Sequence, residues 1–142
     1  MAITVTTLGG SSGFSLSSIQ ITGVTASVGD TIVVCVGSFY AAVTSVVVAN
    51  AGGSGANLTL TQAVSASSSS LYGRVYYGRV LTAISNKAIT ITMASGNCSV
   101  AATAYRVTGL LSSSALDKTK TATGSSTAAV ATGRRSRASS TR

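Results

Sequence analysis

The feature that most constrains this chain is an apolar/polar alternation with a period of two. In "KAITITM" Ile89, Ile91 and Met93 alternate with Thr90 and Thr92, and in "NLTLTQAV" Leu58 and Leu60 alternate with Thr59 and Thr61. A strand turns successive side chains to opposite faces, and β-branched residues fit a half-buried pleat, so both segments are expected to be strands. The same reading places strands at 2–6 ("AITVT"), 16–22, 31–39, 43–49, 71–82, 98–107, 118–123 and 126–132. No helical period stands out. Turn-forming clusters punctuate the strands: "SVGDT" at 27–31, "NAGGSGAN" at 50–57, "SNK" at 85–87 and "SGN" at 95–97, with "ASSSS" at 66–70 as a loop tip. Short strands spaced in this way predict an all-β, two-sheet antiparallel β-sandwich, jelly-roll or immunoglobulin-like, over residues 1–132. Residues 133–142, "GRRSRASSTR", hold four of the ten basic side chains and one apolar residue, Ala138, and are expected to be a basic tail.

The core this pattern can bury is built from small residues. Ala, Ser, Thr and Gly fill 81 of 142 positions, Trp and Pro are absent, and Phe occurs twice. Burial contributes roughly 25 cal/mol per Å², against about 1.5 kcal/mol of ordering entropy per residue, so the margin for an isolated chain is thin. A homo-oligomer, dimer or trimer, is therefore expected. The mean hydropathy of +0.47 does not signal a membrane span, because the apolar runs "TIVVCV" and "VVVA" are of strand length, well short of the roughly 18 residues a helix needs. The opening "MAITVTTLGG" shows no basic segment followed by an apolar one, so no secretory signal is expected.

Chemistry needs titratable groups, and few are present. There is no His, and the two acidic residues are Asp30, in the "VGDT" turn, and Asp117. A serine nucleophile would need a base, yet no Ser-x-x-Lys occurs, and Gly-rich "GGSSG" lacks the Lys-Ser/Thr of a phosphate cradle. Cys35 and Cys98 have no metal-ligand spacing. They are expected as buried free thiols, with an inter-sheet disulfide as the alternative. No catalytic residue, metal or cofactor is expected, and the chain is read as not an enzyme.

The segment "LYGRVYYGRV", 71–80, repeats Tyr-Gly-Arg-Val at an interval of five. An odd interval sends Arg74 and Arg79 to opposite faces of a strand, so the repeat is expected to form a strand near a sheet edge, not a two-arginine clamp. Gly73 and Gly78 then each mark a bulge or a close approach. The net charge of +8 and isoelectric point near 10.2 favour an acidic partner surface. Nucleic acid is not the expected partner, since no binding motif accompanies the charge. The candidate contact residues are Arg134, Arg135, Arg137 and Arg142 in the tail, then Arg74, Arg79 and Tyr72.

Four segments, "VTASVGDTIVVCVGS", "VTSVVVANAGGSGANLTLTQAVSA", "GRVYYGRVLTAISNKAITITMASG" and "SVAATAYRVTGLLSSSALDKTKTATGSS", carry a family likeness across roughly residues 22–126. The features are a Gly-Asp turn before an apolar strand, an Arg-x-x-Tyr strand leading to a Thr-alternating one, and "Y-x-x-T-G-L" followed by "LD-x-T". The succession resembles the β-sandwich domains of tailed-bacteriophage virion proteins. It implies a structural role, best matched by a capsid decoration (cement) protein on the virion surface, whose partner is the major capsid protein. The Arg-rich C-terminus is not part of that pattern. Competing expectations are a phage tail, baseplate or fibre protein, a surface glycan-binding module, and a self-assembling filament.

Overall fold

The computed structural model describes residues 2–111 together with Thr119 and Thr121. Of the strand expected at 118–123 only Thr119 and Thr121 are described, neither of them in a strand, and the strand expected at 126–132, Asp117 and the tail at 133–142 lie outside the described residues. Nine strands are described: β1 (Thr4–Leu16), β2 (Ser18–Ala26), β3 (Thr31–Phe39), β4 (Val43–Val48), β5 (Leu58–Thr59), β6 (Thr61–Ser68), β7 (Leu71–Arg79), β8 (Ile84–Met93) and β9 (Cys98–Thr108), with a single 3-10 turn at Gly53–Gly55.

The strands form two antiparallel sheets packed face to face, a β-sandwich. The five-stranded sheet has the order β1-β9-β3-β7-β6, and the four-stranded sheet β2-β8-β4-β5. Consecutive strands β1 and β2, then β3 and β4, alternate between sheets. The sequence-distant β8 and β9 insert beside them, which gives the double Greek key of a jelly roll. Between β5 and β6 the chain changes sheets at one residue. Leu60 is buried and donates its N–H to the Val46 carbonyl of the four-stranded sheet at 2.8 Å, while Thr61 already pairs with Tyr77 of the five-stranded sheet.

The alternation read from the sequence is the alternation of burial. Ile89, Ile91 and Met93 of β8 are buried, and Ile32, Val34 and Val36 of β3 face them across the sandwich. Tyr76 is the only aromatic ring among the buried side chains described. Asp30 does what an acidic turn residue is expected to do: its carboxylate accepts the Ser27 N–H at 2.8 Å.

Some boundaries differ from the sequence reading. Strand β1 runs through "GGSSGF" because two bulges, with Gly9 at φ +140° and Ser15 at φ +54°, let it follow β9 instead of stopping. "SNK" is not a turn but the start of β8, where Asn86 at φ +52° forms a bulge against β2. The turn in "ASSSS" narrows to Ser69–Ser70, since Ser67 and Ser68 pair with Tyr72 and Leu71.

Among the described residues the outermost strands of both sheets are irregular or short. β1, β2 and β6 each carry an extra residue relative to their inner neighbour, and β5 is two residues long. Bulged or very short edges are poor templates for strand addition.

Candidate interaction face

The two outward faces of the sandwich differ in chemistry. On the four-stranded sheet the outer face presents Ser18, Gln20, Thr90, Thr92 and Thr59 around one half-buried apolar side chain, Val47, and the Gln20 amide donates to the Thr90 hydroxyl at 3.2 Å. This is an ordinary solvated face. On the five-stranded sheet the ladder registers align outward side chains in crosswise rows. One row is Ser12, Ala101, Gly37, Gly73 and Ala66, and on one side of it, at the end of the sheet, stands the row Phe14, Ser99, Phe39, Leu71 and Ser68. On the other side come Thr103, Cys35, Val75 and Val64, then Tyr105, Val33 and Tyr77.

The row of smallest side chains is a groove in this face. Side chains are absent at Gly37 and Gly73, where an added Cβ would meet nothing within 4 Å. A depression of about 290 Å³ opens between the Phe14, Phe39 and Leu71 ridge and the Gly37–Ala101 floor; a second of about 380 Å³ continues over Gly10, Cys35 and Thr103. The ridge is open to solvent, with Phe14 82% and Leu71 58% exposed. None of these rows contains a charged side chain. Arg79 stands at the far corner, beside Thr31, and donates to the Leu111 carbonyl at 3.2 Å.

The structure separates the candidate residues as the odd interval requires. Arg74 shares the inner face with Tyr72 and Tyr76; its Nη1 donates to the Val43 carbonyl at 2.7 Å, while Arg79 faces out. β7 lies one strand in from the edge and pairs with β3 without a bulge, from Thr31↔Arg79 to Phe39↔Leu71. The repeated glycines have different surroundings. Gly73 lies open in the groove, whereas a Cβ at Gly78 would stand 2.6 Å from Leu60 Cδ2, under the chain that changes sheets. Arg106 reaches Asp30 at 3.9 Å, a loose, partly exposed pair. Arg134, Arg135, Arg137 and Arg142 lie outside the described residues. Both cysteines are free. Cys98 is buried as expected, but Cys35 is exposed, because its position in β3 turns it to the outer face; that geometry also rules out the inter-sheet bridge between them.

Protein-family models, curated proteins and solved structures yield no match to this chain. Among the described residues no group of three His, Cys, Asp or Glu could hold a metal ion, and no helix is long and apolar enough to cross a membrane.

The sequence reading missed the groove. A signal was present in "TIVVCVGSF": Val33, Cys35 and Phe39 on the outward parity are as apolar as Ile32, Val34 and Val36 on the inward one. β3 is thus apolar on both parities, buried on the inner one and open to solvent at Cys35 on the outer one.

Proposed function

We propose that this chain is a non-enzymatic structural protein of a virion, a decoration or cement protein that attaches to the major capsid protein and holds neighbouring capsomers together. The observation that carries the reading is the contrast between the two outer faces. A solvated Ser/Thr face lies on one sheet and an uncharged apolar groove on the other, a division expected of a domain that works by contact. The jelly-roll strand order is one that recurs among viral capsid and lectin domains. The placement on a capsid rests on the likeness to tailed-bacteriophage β-sandwich domains, and the +8 charge suits an acidic shell exterior. A protein that binds the assembled shell in preference to separated capsomers stabilises it by mass action, and many weak contacts add through multivalency.

The test is co-sedimentation of the purified chain with undecorated capsids across a salt series. Saturation at a fixed copy number per shell, weakening with salt, supports the reading; absence of binding at low salt rejects it. A glycan-binding module is a second reading, favoured by the exposed Tyr40 ring, which packs against Phe39 with centroids 4.0 Å apart beside the groove. Retention of defined oligosaccharides on a glycan array, with no capsid binding, would select it.

A further inference from the structure

The end of the sandwich that carries the loops 27–30, 49–57 and 80–83 differs in charge from the opposite end, and we infer that it is the part of the chain that docks onto an acidic protein surface. The inference rests on the attachment reading and narrows it to one end of the domain.

The loops form a pre-set platform. Thr31 and Arg79 pair at the margin of the five-stranded sheet, so the turns before β3 and after β7 emerge side by side. Gly29 donates its N–H to the Val80 carbonyl at 2.9 Å, and Val80 donates its own to the Asp30 carbonyl at 2.8 Å. Leu81 and Thr82 both donate from the main chain to the Ala51 carbonyl, at 2.8 and 3.2 Å. The Thr82 hydroxyl donates to the Gly52 carbonyl at 2.6 Å and accepts the Gly55 N–H at 3.2 Å. Three loops are thereby held as one surface, which lowers the ordering cost of binding.

Val28 and Leu81 project from this platform, 64% and 54% exposed, on the two loops that the bonds between Gly29, Asp30 and Val80 join. Two arginines flank them. A Cβ added at Gly29 would stand 3.3 Å from Arg79 Nη2, and Arg106 lies 3.9 Å from Asp30 with its side chain partly open to solvent. Asp30 itself is covered, and its carboxylate already accepts the Ser27 N–H, so the charge this end shows to a partner is positive.

The remaining charge is distributed the same way. Of the other two cations among the described residues, Lys87 is exposed in the half of β8 nearest these loops, and Arg74 is turned inward to the Val43 carbonyl. Leu111, whose carbonyl accepts from Arg79 Nη1, also lies at this end, and the six Lys and Arg beyond these four follow it in the sequence. The opposite end has exposed apolar side chains as well, Tyr40 and Leu71 among them, but its turns at 40–42, 69–70 and 94–97 hold no charged residue. Apolar anchors beside arginines fit a partner site whose apolar depression is rimmed by carboxylates: the anchors supply affinity, and the charge steers the approach.

The experiment is co-sedimentation with undecorated capsids at low and at high salt. It compares the natural chain with Val28→Ser/Leu81→Ser, with Arg79→Glu and, at the opposite end, with Phe14→Ser/Leu71→Ser. Circular dichroism and thermal melting check that each variant is folded. Val28→Ser/Leu81→Ser is expected to weaken binding about 10-fold or more at both salt levels. Arg79→Glu is expected to weaken it about 10-fold or more at low salt and less at high salt, where screening shortens the reach of the charge. Phe14→Ser/Leu71→Ser should bind within about 2-fold of the natural chain, since surface changes away from a contact have small effects.

Undiminished binding by both of the first two variants overturns the inference. So does a loss at Phe14→Ser/Leu71→Ser as large as that at Val28→Ser/Leu81→Ser, which would move the contact to the opposite end. An Arg79→Glu effect that does not change with salt overturns it too, because the surface met there would not be acidic. In each of these outcomes the natural chain still binds and the attachment reading stands, whereas no binding by the natural chain removes that reading and this inference together.

Discussion

Arg74 of β7 donates from Nη1 to the main-chain carbonyl of Val43, the first residue of β4, at 2.7 Å and so ties one sheet to the other. The Tyr76 hydroxyl approaches the same carbonyl at 3.5 Å. A charged donor on a buried acceptor contributes more than a neutral one, and its loss leaves the carbonyl with only the longer contact. Arg74→Ala is expected to lower stability by about 2 kcal/mol, read as a fall in melting temperature of roughly 5–15 °C. Arg74→Ala combined with Tyr76→Phe should cost more than the two single losses together, because each partner substitutes for the other. Strict additivity by chemical denaturation would show that the carbonyl is not shared.

The two glycines of the repeated Tyr-Gly-Arg-Val should respond in opposite directions. Gly78→Ala pushes a methyl to 2.6 Å from Leu60 Cδ2 and is expected to cost about 1–3 kcal/mol. Gly73→Ala enters open space on a strand and is expected to be neutral or to stabilise by roughly 0.5–1 kcal/mol. Urea melts of both variants in dilute solution decide the point; equal effects would contradict the different surroundings described for them.

Thiol titration distinguishes the cysteines. In dilute native protein a thiol reagent should consume one equivalent quickly, at the exposed Cys35. The second equivalent, at Cys98, should react only on unfolding. Cys98 sits under the sandwich with its Sγ 3.5 Å from the Ala41 carbonyl. Rapid loss of both thiols in the folded state would place Cys98 outside the core.

Asp30 separates a hydrogen bond from an ion pair. Its carboxylate accepts the Ser27 N–H at 2.8 Å, whereas Arg106 stands 3.9 Å away and partly exposed. Asp30→Ala removes both and is expected to cost about 1–2 kcal/mol. Asp30→Asn keeps an acceptor for Ser27 and is expected to cost less than half of that, since a loose, partly solvated pair contributes little. Equal losses in the two variants would reverse the ranking.

The strands were largely legible in the sequence because a half-buried strand writes its burial as alternation. Ile89, Ile91 and Met93 face in, and Thr90 and Thr92 face out, as "KAITITM" implies. Boundaries at bulges were not legible. "GGSSG" and "SNK" carry the residues of a turn, and only the pairing of β1 with β9 and β8 with β2 makes them strand. The candidate face was written in "TIVVCVGSF" but competed with louder signals, the arginines and tyrosines of 71–80. The groove itself appears only when Gly37, Gly73 and Ala101 from three strands fall into register.

The place of β9 has a consequence for how the protein comes into being. The last described strand to leave the ribosome sits between the first and the third, with Thr4 opposite Thr108. Until residues 98–108 are available, β1 lacks its ladder partner and β3 one of its two, so the five-stranded sheet cannot close before β9 has been made. Its closure is dominated by long-range pairing, a slow class of search. Nascent chains stalled before Cys98 would expose valine- and isoleucine-rich segments to one another, and chaperone demand should peak there.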